Sequence, residues 1–124
     1  MNKKHITPEI IKLSKEIAKY WRMEIYEGCW VLQGGLVKLV YQKLGQFTRV
    51  IIECEKRDVL EGNLIPIPSI SDCLEKLSGI TTSIEKELLG LVTNLWRGYH
   101  TNIIEFHETL LSALLEVLKN GEKQ

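Results

Sequence analysis

The sequence predicts an α+β fold in which a small antiparallel sheet packs against helices near the N-terminus, in the middle and near the C-terminus. Apolar residues recur at helical spacing near both ends of the chain. Between residues 29 and 55 they occur in short runs separated by glycines, which is typical of strands joined by turns. The length of 124 residues and the hydrophobic fraction of 44% suit one domain spanning residues 1–124.

The first helix is the most clearly marked element, and we predict it from Pro8 to Trp21. Thr7 is suited to cap its N-terminus, and proline is favoured at the first helical position. The apolar stripe that would face a core consists of Ile10, Leu13, Ile17, Tyr20 and Trp21.

Three short strands are predicted next, joined as an antiparallel meander. They cover residues 29–32, 36–41 and 48–55. The Gly34-Gly35 pair between the first two indicates a tight hairpin turn, because glycine readily adopts positive φ. In the third strand, alternation places Val50, Ile52 and Cys54 on the face that should be buried.

The later part of the chain is predicted to hold two further helices. Residues 56–63 are polar and turn-like, and the two prolines in Leu64–Pro68 predict an extended connector or an edge strand. Ser69 can cap a second helix that ends near Gly79. The last helix is predicted from Phe106 to Lys119.

Residues 80–104 fit two structures. Their apolar residues keep helical spacing at Ile84, Leu88, Leu91 and Leu95, but Gly90 interrupts that pattern. The same stretch also reads as a strand and a turn, and periodicity alone leaves both possibilities open.

Three stretches together resemble small uncharacterised proteins encoded by tailed phages and prophages. They are Glu27-Gly28-Cys29-Trp30, the Ile65–Glu75 segment and the His107–Leu115 segment. Those proteins usually carry aspartate where Cys29 stands. The resemblance implies strands in residues 80–104, so that two more strands would extend the meander. It brings no known activity.

Charge and cysteine usage narrow the possible partners and location. Sixteen Lys and Arg balance sixteen Asp and Glu, so the positive excess typical of nucleic-acid binding is missing and no such partner is expected. A neutral chain also lacks the repulsion that keeps copies apart, which is compatible with a homodimer. No apolar run reaches the ~20 residues of a membrane span. Three cysteines without a CxxC pair indicate free thiols and a cytoplasmic location.

The sequence predicts no catalytic, cofactor or metal constellation. His100 and His107 would share a face only on one continuous helix, and His107 is expected on a solvated helix surface. Cys29 follows a glycine turn and is expected to be the most exposed thiol, whereas Cys54 and Cys73 are expected on apolar faces.

A contact site for a partner is predicted where two aromatic side chains flank an arginine beside a glycine. Its residues are Trp96, Arg97, Tyr99 and His100. We therefore predict a non-enzymatic binding or accessory protein of phage or prophage type that acts on an unknown protein partner. One alternative is a homo-oligomer that sequesters a small molecule or nucleotide, with Arg49 or Arg57 joining that site. The other is a cysteine-dependent enzyme that uses Cys29.

Overall fold

The computed structural model describes residues 5–44, 49–80 and 103–122, and these residues form an α+β fold, as predicted. The helices are α1 (Pro8–Ile17), α2 (Ile70–Ile80) and α3 (Ile103–Glu122). The strands are β1 (Trp30–Gln33), β2 (Leu36–Leu44), β3 (Arg49–Ile52), β4 (Val59–Leu60) and β5 (Ile65–Ile67). A short 3₁₀ helix, Glu61–Asn63, lies between β4 and β5.

The described residues form a sheet of five antiparallel strands in the order β4-β3-β2-β1-β5, and β1 to β3 form the predicted meander. Gln33 pairs with Leu36 across the hairpin turn. Gly34 and Gly35 have φ values of 56° and 87°, so both central positions of this turn use the backbone region in which glycine is unstrained.

The two strands that extend the meander come from residues before α2. β5 lies at one edge of this described sheet, which agrees with the predicted edge strand. Its proline, Pro66, has no N–H group to donate to a further strand. The prediction of a turn throughout residues 56–63 is wrong at Val59–Leu60, which pair with β3. The strands that the resemblance implies in residues 80–104 fall mainly on residues 81–102, which lie outside the described part of the chain.

β1 is buried on both of its faces, and a different hydrophobic cluster lies on each. In β1, Leu32 belongs to the cluster formed with the three helices, whereas the neighbouring Val31 belongs to the second cluster. The second cluster consists of Met23, Ile25, Cys29, Val31, Val40, Val50, Ile52 and Leu64. We call residues 21–29 the covering segment. This segment covers the Val31 side of β1, and the helices cover the Leu32 side.

α1 ends earlier than predicted, and its N-terminus is tied to α3. Regular helix stops at Ile17, and Trp21 N–H still donates to Ile17 O as the chain turns away. Thr7 caps α1, since its Oγ1 accepts from Ile10 N–H at 3.2 Å. The same hydroxyl donates to Glu108 Oε1 at 2.7 Å, so one side chain both caps α1 and links it to α3.

α2 begins with a reciprocal cap around Ser69. Asp72 N–H donates to Ser69 Oγ at 3.2 Å, and Ser69 N–H donates to Asp72 Oδ2 at 2.9 Å. This confirms Ser69 as the N-cap, with aspartate in the place that glutamate usually takes in a capping box. The helix continues through Gly79 to Ile80 rather than ending at the glycine.

We predict that Ser69→Ala lowers the free energy of unfolding by about 1 kcal/mol, because the first turn of α2 loses its cap. Ser71→Ala is the matched control, since Ser71 is an exposed serine two residues further on, in the first turn of α2. That control should stay within about 0.5 kcal/mol of the parent protein. Urea unfolding measures both, and equal effects of the two substitutions would contradict the assigned cap.

Candidate functional site

A groove of about 850 Å³ lies between the covering segment and α2. We call it the aromatic groove. Trp21 and Tyr26 line it from the covering segment, and Lys43 of β2 also contributes to its wall. Its carboxylates are Glu24, Glu27, Asp72 and Glu75. The rim residues are largely exposed, so the groove is accessible to a macromolecule.

Alternation along the covering segment explains why these side chains face outwards. Met23 and Ile25 are buried against the sheet, so Glu24 and Tyr26 project to the other side. A tight turn then returns the chain to β1, with Cys29 N–H donating to Tyr26 O at 3.2 Å. Gly28 supplies the φ of 90° within that turn, which a residue with a Cβ adopts only under strain.

Tyr26 is the most distinctive side chain of the groove, because its ring is accessible while its hydroxyl is fixed. The residue is 40% exposed, and its hydroxyl donates to Asp72 Oδ2 at 2.7 Å. Partial burial and then this hydrogen bond raise the pKa of Tyr26 to about 12. Asp72 thus joins the covering segment to the N-terminal cap of α2.

A lysine already lies over the other aromatic side chain. Lys76 Nζ is 4.9 Å from the centroid of the Trp21 ring, which is within the range of a cation–π interaction. Trp21 packs against both hydrophobic clusters, so its ring is held in place while one face remains available to this ammonium group.

The groove carries an excess of negative charge although the whole chain is neutral. Its four carboxylates outnumber its two lysines, Lys43 and Lys76, so the lining carries a formal excess of two negative charges. Lys43 Nζ lies 3.0 Å from Glu24 Oε1 and 3.3 Å from Glu61 Oε1. The hydrogen bond with Glu24 raises the pKa of Lys43, against a smaller opposing effect of burial.

The partner-binding residues predicted from the sequence, Trp96, Arg97, Tyr99 and His100, lie outside the described residues. Arg49, which the nucleotide alternative would add to that site, is 3.4 Å from Asp58 Oδ2 in an ion pair. The aromatic groove is not among the features predicted from the sequence. Its signal in the sequence is the alternation of apolar and polar residues from Met23 to Tyr26, which is too short to indicate a strand by itself.

The expected exposures of Cys29 and Cys54 are wrong. Cys29 is 3% exposed within the second cluster, and burial raises the pKa of its thiol. Cys54 is exposed, because β3 ends at Ile52 and the chain turns through a φ of 64° at Cys54. Cys73 is buried on the apolar face of α2, as predicted, and burial raises its pKa to about 12.

The expectation that His107 lies on a solvated helix surface is also wrong. His107 is 1% exposed, and its Nε2 is 2.7 Å from Pro68 O. Because a carbonyl oxygen only accepts, Nε2 carries the proton. This contact fastens α3 to the connection between β5 and α2.

Within residues 5–44, 49–80 and 103–122, no group of three or more His, Cys, Asp or Glu side chains is arranged to hold a metal ion. Among the same residues, no helix has both the length and the apolar character needed to cross a membrane. Comparison of the chain with protein-family models, curated proteins and solved structures found no match.

We predict that an alkylating reagent modifies Cys54 first and modifies Cys29 and Cys73 at least about a hundredfold more slowly, because buried thiols react only when the structure opens. Mass spectrometry of partially modified protein locates each adduct. The control is Cys54→Ser, which should retain only the two slow thiols. Modification of Cys29 as rapid as that of Cys54 would instead support the cysteine-dependent alternative.

We predict that His107 makes the protein less stable in mild acid. Burial lowers the pKa of His107, against smaller opposing effects of its bond to Pro68 and of the Glu108 and Asp72 carboxylates. As the pH falls, His107 is therefore protonated at a higher pH in the unfolded chain than in the folded protein. The contribution to stability is complete above the unfolded pKa of about 6.5 and is lost as the pH falls towards the lowered folded value.

Urea unfolding at pH 7.5 and at pH 5.0 measures this loss. His107→Gln retains an N–H group that can reach Pro68 O but does not titrate, so its stability should fall less between the two conditions. His5→Gln is the matched control and should behave like the parent protein. An equal fall for the parent protein and His107→Gln would show that another group is responsible.

Proposed function

We propose that the protein is a non-enzymatic binding or accessory protein that holds a segment of a partner protein in the aromatic groove. The supporting observation is that Trp21 and Tyr26 share one accessible groove with a rim of carboxylates. Tryptophan and tyrosine are enriched among the residues that dominate binding energies at protein interfaces. Exposed carboxylates around such a pair add selectivity between partners.

The two aromatic side chains are already held in position before a partner binds. Tyr26 is fixed by its hydroxyl contact with Asp72 and by the neighbouring buried Ile25. Trp21 is packed between the two hydrophobic clusters. Little side-chain freedom is then lost on association, which favours affinity for a given area of contact.

The chemistry of the described residues supports binding over catalysis. Cys29 and Cys73 are buried with raised pKa values, so neither is held as the thiolate that a cysteine nucleophile requires. His107 is engaged with Pro68. The resemblance of three sequence stretches to phage and prophage proteins is in keeping with an accessory role of that type.

The small-molecule alternative has a narrower basis. A cavity of about 220 Å³ is lined by His5, Ser69, Ser71 and His107 among others. Ser69 Oγ and His107 Nε2 already bond to Asp72 and Pro68 there. Because these polar atoms are engaged in hydrogen bonds within the protein, this cavity supports ligand recognition less well than the aromatic groove does.

A photo-cross-linking experiment tests the proposal in the cells that naturally make the protein. A photoreactive phenylalanine analogue replaces Glu75 at the rim of the groove, and the same analogue at exposed Ser112 of α3 is the control. We expect a discrete protein adduct from position 75 and none from position 112. An analogue at Trp96 tests the partner site predicted from the sequence in the same way.

Substitution of Tyr26 shows whether an adduct depends on the groove. Tyr26→Ser should reduce the yield from position 75 by about tenfold or more, as expected for removal of a residue that dominates binding. Tyr26→Phe keeps the ring and loses only the bond to Asp72, so it should retain most of the yield. An adduct from position 112 or 96 but not from position 75 would place the interface elsewhere.

A further inference from the structure

The aromatic groove contains a position that already holds a positive charge. Lys76 Nζ lies over the Trp21 ring at 4.9 Å, and Lys76 shares the groove with Asp72 and Glu75 of the same helix. An aromatic face attracts a cation most strongly when carboxylates lie nearby and water is partly excluded. The Lys76 ammonium thus shows that a cationic group fits over the Trp21 ring.

The two lysines do not neutralise all of the negative charge of the groove. Lys43 is engaged by Glu24 and Glu61, and Lys76 is positioned over Trp21. Glu27 and Glu75 are exposed at the rim, and with Glu24 and Asp72 they leave an excess of two negative charges. A segment of neutral or acidic chain would bury or oppose these carboxylates, whereas a basic segment would complement them.

We infer that the partner segment carries an arginine, whose guanidinium displaces the Lys76 ammonium from the Trp21 ring and meets the carboxylates of Asp72 and Glu75. This inference rests on the proposed function and specifies its ligand. Arginine fits better than lysine because its planar group stacks on an aromatic ring and presents a fork of donors to a carboxylate. Lys76 is then an internal competitor that must leave before the arginine binds.

Lys76 is suited to that role by its place on α2. Its flexible stem of four carbons lets the ammonium swing away from Trp21 without movement of the helix. While it covers the ring, the fraction of molecules ready to bind is reduced, and the apparent affinity is reduced by the same fraction. Removal of the Lys76 charge should therefore strengthen binding of an arginine segment.

Two peptides that differ at one central residue test the inference. Both consist of glycine, serine and leucine around a central arginine or around citrulline, which has nearly the same shape without the charge. Fluorescence anisotropy measures the Kd of each, and amide chemical shifts at residues 24–27 and 72–76 locate the bound peptide. We expect the arginine peptide to bind at least about tenfold more tightly than the citrulline peptide, a preference within the range of a cation–π contact and a charged hydrogen bond.

Lys76→Gln should lower the Kd of the arginine peptide by about tenfold, because it removes the internal competitor. Lys56→Gln is the matched control: Lys56 is exposed and is not part of the groove, so it removes the same charge elsewhere and should change the Kd less than about twofold. The inference would be overturned by any of three results. These are equal Kd values for the arginine and citrulline peptides, equal effects of the two lysine substitutions, and unchanged amide chemical shifts at millimolar peptide. A cross-link from position 75 alongside any of these results would leave the proposed function standing with a different ligand.

Discussion

Burial of β1 on both of its faces is the constraint on which the rest of the structure depends. Val31 and Leu32 are neighbours in sequence and therefore point to opposite sides of the sheet, yet their exposures are 0% and 2%. Each side must be covered by something. The helices cover Leu32, and the covering segment places Met23, Ile25 and Cys29 over Val31. β1 is thus enclosed between helices on one side and an irregular stretch of chain on the other.

The aromatic groove results from the way the covering segment packs on β1. A strand-like segment that buries alternate side chains against a sheet necessarily presents the others on its outer side. α2 runs beside this outer side, and the bond from Tyr26 to Asp72 joins the two elements. Because Asp72 also completes the cap around Ser69, the start of α2 and the wall of the groove share one carboxylate.

The sequence allowed the elements governed by local rules to be predicted. Thr7 and Ser69 were recognised as caps and the Gly34-Gly35 hairpin as a turn, since each depends on residues within one turn of chain. β4 was missed because two residues form a strand only when a partner such as β3 lies beside them. The groove was missed for a similar reason: Tyr26 and Asp72 meet across 46 residues, and no local pattern reports such a contact. Cys54 was misplaced because alternation was extended beyond Ile52, where the strand ends.

The alternation within the covering segment also separates the residues that pack against the sheet from those that are exposed at the rim of the aromatic groove. Met23 and Ile25 are constrained by the packed interior, whereas Glu24 and Glu27 contact solvent at the rim. Substitutions at the rim leave the packed side of the same segment unchanged. If the groove binds a partner as proposed, natural variation or laboratory selection at positions 24 and 27 can alter that recognition while the scaffold keeps its stability, in the way that binding loops diversify on a conserved framework.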